Sequence, residues 1–299
     1  MEPRNFPGFL FIYPLNSVKN YFSLVKFSHT VFALPFAVIG FFLGVKHAGI
    51  PPDWTLFIKV LLCMVFARTS AMAFNRFADR KVDAENLRTR SREIPSGVIS
   101  PAAALTLVIL SAVLFIITTY SINTLCFYLS PIAIAIILGY SLTKRFTALC
   151  HFILGLGLSL APIGAYLSVT GAFNPLPLLF SACVLMWVSG FDIIYALQDE
   201  DFDKEHKLFS IPAAVGKKTA LMVSTIAHVL SAILIIIAGA YASLGILYWI
   251  GATIFIAMLI YQHTLVKPND LRKINVAFFT TNGIASVVFA IFVLFDLLG

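Results

Sequence analysis

The chain reads as a series of apolar runs, each about twenty residues long, separated by short polar or proline-bearing breaks. A helix of that length crosses the hydrocarbon core of a bilayer, since it rises about 1.5 Å per residue and the core is about 30 Å thick. Nine candidate spans follow, at roughly 25–46, 54–77, 100–120, 124–143, 147–168, 177–198, 217–240, 244–266 and 275–298. The breaks include Pro51-Pro52-Asp53, Pro95-Ser96-Gly97, Asn174-Pro175 and Lys267-Pro268-Asn269-Asp270, combinations that punctuate helices. The least marked division is Ser121-Ile122-Asn123-Thr124, between the third and fourth spans. The pattern predicts an all-α polytopic membrane protein, a bundle of nine transmembrane helices with residues 1–299 as a single domain. Residues 1–20 hold three prolines and no apolar core ahead of a small-residue cleavage site, so a cleavable signal peptide is not expected. Phe6, Phe9, Leu10, Phe11, Ile12 and Tyr13 suit a short helix lying in the interface.

Composition strengthens this reading. Of 299 residues, 60% are hydrophobic and 12% charged, with a mean hydropathy of +0.93. Soluble domains are closer to a quarter charged. The net charge of +7 would suggest nucleic acid if the basic residues were clustered without regard to topology. Instead, with the N-terminus cytoplasmic, all Lys and Arg except Lys46, Lys59 and Arg68 fall at cytoplasmic ends and loops. That is the positive-inside bias, and it points to an inner-membrane, multi-pass protein in contact with lipid and not with nucleic acid. Cys63, Cys126, Cys150 and Cys183 lie in apolar stretches or at their ends, without CxxC spacing, so neither a disulfide nor a zinc site is expected.

The positive-inside rule does not call for acids. Yet every Asp and Glu except Glu2, Asp53, Asp270 and Asp296 lies in two blocks on the same side. The first, "NRFADRKVD" at 75–83, places Asn75, Asp79 and Asp83 four residues apart, on one face of a helix. Arg68 lies seven residues earlier on nearly the same face and deeper in the membrane, where an ionisable residue is a functional-site candidate. The second, "DIIYALQDEDFD" at 192–203, repeats the spacing with Asp192, Asp199 and Asp203. Carboxylate and amide oxygens so arranged suit Mg²⁺, which takes one or two carboxylates and shares its shell with phosphate. "YSLTKR" at 140–145 supplies Tyr140, Lys144 and Arg145 at another cytoplasmic helix end, and the loop "RTRSREIPSG" supplies Arg88, Arg90 and Arg92. Acids that hold a metal, beside Lys and Arg, make a site for phosphate oxygens. A phosphate-bearing substrate there should be lipid-like, because the site opens into the membrane. His151, His228 and His263 read as structural or interfacial residues.

These motifs resemble those of the UbiA superfamily of intramembrane prenyltransferases. The family's Asn-x-x-x-Asp-x-x-x-Asp matches Asn75, Asp79 and Asp83, and its Asp-x-x-x-Asp matches Asp199 and Asp203. Its Tyr-x-x-x-Lys matches Tyr140 and Lys144. Its Arg-Thr-x-x-Arg-Pro-Leu-Pro-Ser-Gly loop matches Arg88 to Gly97, with Glu93 at the first proline. The resemblance runs from about residue 20 to 298. Many members carry Asn-Asp where this chain has Asn75-Arg76, and "KFSHTVFALPFA" with "AMAFNR" looks like the subgroup near the 4-hydroxybenzoate polyprenyltransferases, some tied to futalosine-pathway menaquinone synthesis.

The resemblance implies Mg²⁺-dependent transfer of a polyprenyl group from a polyprenyl diphosphate to a small aromatic acid, 4-hydroxybenzoate or a dihydroxynaphthoate, in quinone biosynthesis. Asn75, Asp79, Asp83, Asp199 and Asp203 would hold the metal. Tyr140, Lys144, Arg145, Arg88 and Arg92 would hold pyrophosphate. Arg68, Lys26 and His29 would face the aromatic acid, and Asp192 would activate its phenol. A transporter using the charged face as an ion or substrate site is the alternative from another class. A CDP-alcohol phosphotransferase needs an Asp-Gly pair, which the sequence lacks.

Overall fold

In the computed structural model the described residues are 20–25 and 32–299. Long helices dominate: α1 (Leu34–Ala48), α2 (Trp54–Ala78), α3 (Pro101–Tyr120), α4 (Thr124–Thr143), α5 (Cys150–Thr170), α6 (Pro175–Ala196), α7 (Ile211–Tyr241), α8 (Ile246–Leu265) and α9 (Thr281–Leu298). Among the described residues there is no strand, only an isolated bridge between Lys267 and Asp270. Eight helical stretches are long and apolar enough to cross a membrane. The shorter α1, of 15 residues, overlaps the first candidate span and ends two residues beyond it; part of that span (26–31) falls outside the described residues, as does nearly all of the expected interfacial segment. The chain is an integral multi-pass membrane protein.

The sequence breaks do local work as helix starts. Asp53 accepts from the Thr55 and Leu56 N–H groups, Ser100 from Ala103, Asn123 from Cys126, Asn174 from Leu176 and Ser210 from Ala213. Each satisfies donors that a helix leaves unpaired in its first turn. The span expected at 217–240 begins where Gly216, at φ 76° and ψ 162°, kinks α7; the turn before it, from Ile211, is an addition. The last expected span opens with a π-helical turn, Val276–Thr280.

Lipid-exposed helices gain little from the hydrophobic effect between themselves, so close backbone approach and interhelical hydrogen bonds hold the bundle. A Cβ at Gly40 would lie 2.1 Å from the Pro162 carbonyl oxygen, and one at Gly155 would lie 2.5 Å from that of Leu185. Glycine at these positions lets α1 meet α5 and α5 meet α6. Phe36, Trp187, Phe255 and Phe289 pack as one aromatic cluster between α1, α6, α8 and α9, and the Trp187 indole N–H donates to Asn282 at 2.9 Å. The π turn frees carbonyls that Gln262 and Asn282 satisfy: Gln262 donates to Ala277 at 2.7 Å and Asn282 to Phe278 at 2.8 Å.

The two acidic motifs differ from the uninterrupted helical stripes read from the sequence. α2 ends at Ala78, and Asp79 leaves helical geometry at φ −89° and ψ 4°, before a short helix at Arg80–Glu85. The four-residue register survives because Asp79 N–H still bonds to Asn75 and Asp83 N–H to Asp79, at 2.9 and 2.7 Å. After α6, a 3₁₀ turn at Leu197–Asp199 leads to a short helix at Glu200–Glu205. Both motifs therefore bend over the same end of the bundle.

Candidate active site

Arg68, Asn75, Asp79, Asp83, Arg88, Arg92, Tyr140, Lys144, Arg145, Asp192, Asp199 and Asp203 all line one cavity of about 740 Å³ at that end. Lys26 and His29 lie outside the described residues. Below it, Arg68, Met72, Tyr140, Leu154 and Leu158 are shared with a second, apolar cavity of about 330 Å³ between α2, α4 and α5. Its wall runs along α4 from Tyr140 to Cys126, 14 residues or about 21 Å at helical rise.

Each carboxylate of the two motifs faces a cation from another part of the chain. Arg92 grips both oxygens of Asp83 at 2.7 and 2.9 Å. Arg88 donates through both Nε and Nη2 to Asp199, the Nε contact at 3.1 Å, and so ties the first loop to the second motif. Asn86 adds a bond to the same carboxylate at 3.2 Å. Arg145 approaches Asp79 at 3.4 Å and caps the Ala78 carbonyl of α2 at 2.6 Å, while Asn75 donates to Asp79 at 3.1 Å. Lys144 Nζ lies 2.7 Å from Asp203 Oδ1, whereas Oδ2 of this fully buried carboxylate has no hydrogen-bond donor.

These surroundings set protonation. Burial pushes the Asp79 carboxyl above the usual range, Asp83 adds to this, and Lys144 and Arg145 oppose it. Burial alone would weaken the Lys144 ammonium, but Asp203, with Asp199 and Asp79, reverses the sign and holds it charged. Arg88 behaves likewise, burial being outweighed by Asp199. Lys144 and Arg88 are thus held cationic beside the acidic motifs in a confined space, where electrostatics are strong.

Among the described residues no three His, Cys, Asp or Glu side chains converge into a ready-made metal cage. The donor set nonetheless fits Mg²⁺: Asp203 offers a buried oxygen without a donor, Oδ2, and Asn75, Asp79, Asp83 and Asp199 border the same cavity. Mg²⁺ is commonly held by one or two carboxylates together with substrate phosphates, so a full protein cage is not required.

Several cavity residues have no spacing signal. His151, on the first turn of α5, lies 2.7 Å from Asp192 Oδ2. From the sequence it reads as structural or interfacial, and no periodicity relates positions 41 apart. Arg76, only 4% exposed, also lines the cavity. Tyr195 receives an Nη1 bond from Arg88 at 3.3 Å and packs against Phe278 of the π turn, with ring centroids 4.2 Å apart.

Polar chemistry at one end of a helical bundle, with lipid-sized apolar space beneath it, is the build of a multi-pass membrane enzyme. The model of the UbiA prenyltransferase family matches residues 33–284, and the chain belongs to that family of prenyltransferases. Among its relatives is a 4-hydroxybenzoate octaprenyltransferase of Aliivibrio fischeri strain ES114, 32% identical over 80% of this chain and 83% of the relative. Another of the same name, from Pseudoalteromonas translucida, is 30% identical over 83% of this chain and 84% of the relative. The apo structure of a UbiA homologue from Aeropyrum pernix K1 superposes with a TM-score of 0.77 at 28% identity, covering 90% of this chain and 97% of that one. A UbiA homologue from Archaeoglobus fulgidus, solved bound to GPP and Mg²⁺, shares the fold at a TM-score of 0.70 and 22% identity, over 94% of this chain and all of that one.

Proposed function

We propose that the chain transfers a polyprenyl group from a polyprenyl diphosphate to an aromatic acid, 4-hydroxybenzoate or a dihydroxynaphthoate, releasing pyrophosphate, with Mg²⁺ as cofactor. The observation that carries this reading is the junction of the two cavities. Six cations and two acidic motifs crowd the polar one, which passes at Arg68 and Tyr140 into the apolar one. A diphosphate with a long isoprenoid tail has the same two halves. The names of the relatives support the aromatic acid, and the ligands of the Archaeoglobus homologue support diphosphate and Mg²⁺.

In this reading the ion pairs are placeholders. Arg88, Arg92, Lys144 and Arg145 turn from their carboxylates to phosphate oxygens, and Tyr140 donates its hydroxyl to the same group. Asn75, Asp79, Asp83, Asp199 and Asp203 become free to hold the cation. When bound, Mg²⁺ would neutralise charge that develops on the departing pyrophosphate. The chain's own cations do the same from the other side as the allylic C–O bond breaks and its electron pair leaves with oxygen. Apolar walls of α2, α4 and α5 keep water from the allylic cation. The ring carbon of the acceptor then bonds to the allylic carbon and loses its proton to a base. Asp192 accepts the hydrogen of the phenol and raises the ring's nucleophilicity, and Arg68 pairs with the acid's carboxylate at the mouth of the apolar cavity.

The polar end faces the cytoplasm of an inner membrane, with residues 1–299 working as one domain, in ubiquinone or menaquinone biosynthesis. Incubating purified protein with Mg²⁺, a long prenyl diphosphate and each aromatic acid tests the proposal by product mass. One acid should gain the mass of the prenyl group, with pyrophosphate released. If neither is prenylated, the acceptor assignment fails.

A further inference from the structure

We propose that His151 is a positioning residue for the transfer, one that fixes the Asp192 carboxylate as the hydrogen-bond and proton acceptor for the phenol. The proposal rests on the reading of Asp192 given above.

The geometry settles which ring nitrogen carries hydrogen. Ile211 is the first residue of α7, and its N–H is one of the donors a helix cannot satisfy internally. It donates to His151 Nε2 at 3.3 Å. A nitrogen that accepts a hydrogen bond there holds a lone pair and no hydrogen. The neutral ring therefore carries its hydrogen on Nδ1, which stands 2.7 Å from Asp192 Oδ2. His151 donates to Asp192, and the carboxylate is the acceptor.

The rest of the surroundings agree. Both side chains line the cavity, but His151 is 3% exposed whereas the Asp192 side chain keeps 24% exposure. Among the described residues Asp192 Oδ1 accepts no hydrogen bond, so one oxygen is fixed and the other is left for a ligand. Gly155, one turn along α5, allows the close approach of α6 that brings the two side chains together. Ser189, three residues before Asp192, donates to the Leu185 carbonyl at 2.7 Å and stands 3.3 Å from the His151 carbonyl, a close approach of α6 to the start of α5. The imidazole is thus clamped by α6 and α7 in the one tautomer that serves Asp192. Partners that orient a functional group in this way usually matter by about 10–100-fold.

The test compares His151→Leu, His151→Asn, His151→Gln and Asp192→Asn by kcat and by KM for the prenyl diphosphate, with 4-hydroxybenzoate as acceptor. Asparagine keeps an N–H near the Nδ1 position. Glutamine places its amide near Nε2, retaining the Ile211 contact and losing the donor to Asp192. His151→Leu should lower kcat about 10–100-fold with KM for the diphosphate unchanged. His151→Asn should recover most of that loss and His151→Gln little. His151→Leu at parent rate with an inactive Asp192→Asn overturns the role of His151 alone. Parent activity in Asp192→Asn overturns the reading of Asp192. If leucine prevents folding, the Asn and Gln variants decide: equal activity or equal loss overturns the proposal.

Discussion

Replacing Lys144 by methionine removes the cation that faces Asp203 and separates two roles for the pair. At 2.7 Å, with an effective dielectric constant of about 20, their attraction is about 6 kcal/mol before desolvation is counted. Desolvation offsets much of that, and stripping one partner from a buried pair costs about 3–5 kcal/mol. Here the Lys144 side chain is 34% exposed and that of Asp203 is fully buried, so about 2–4 kcal/mol is the expected loss of stability. Asp203→Asn on the same background removes the uncompensated charge and should restore stability to within about 1 kcal/mol. Activity should not follow. Losing a cation aimed at the leaving group costs about 10²–10³-fold in rate, and the second change removes a metal ligand as well. Denaturant unfolding in detergent, set against transfer rate for the single and double variants, reads both quantities. A double variant that regains stability and transfer together would mean the pair is only structural, and the placeholder account would be wrong.

Gly155→Ala puts a methyl group against the Leu185 carbonyl and should separate α5 from α6, lowering both melting temperature and kcat, whereas Gly139→Ala, where a Cβ meets nothing within 4 Å, should leave both unchanged. Gly157 lines the apolar cavity with room for a Cβ, which would stand 3.7 Å from Ile137, so Gly157→Leu should slow transfer from a long prenyl diphosphate at least about tenfold while sparing dimethylallyl diphosphate. Because the Asp79 carboxyl titrates above the ordinary aspartate value, the folded state holds more protons than the unfolded one between those two values. Metal-free stability should therefore fall as pH rises through that window. Mg²⁺ should oppose the fall and bind more weakly as pH drops; Asp79→Asn should abolish that dependence, and its persistence would contradict the burial argument.

The legible part of the fold was whatever a periodicity of about twenty apolar residues or a capping residue encodes. Asp53, Ser100, Asn123 and Asn174 mark helix starts within a residue or two of the expected spans, because a side-chain cap is a local event. The four-residue spacing of Asn75, Asp79 and Asp83 correctly put them on one side, yet it hid the break at Asp79, where backbone hydrogen bonds keep the register without helical dihedrals. Pairings made by the tertiary fold left no such trace. Nothing local joins Arg88 to Asp199, or His151 to Asp192 and Ile211. The π turn that brings Phe278 to Tyr195 depends on Gln262 and Asn282, contacts no linear pattern predicts. Arg76 stands off the four-residue spacing of the first motif, and only the fold places it in the cavity wall.

The most direct test of a two-motif diphosphate clamp is transfer by Asp79→Ala and Asp199→Ala, each measured with Mg²⁺ and a prenyl diphosphate in membranes where the variant is shown to be inserted. Both variants should lose transfer completely while inserting as the parent does. Full activity in either one would contradict the clamp.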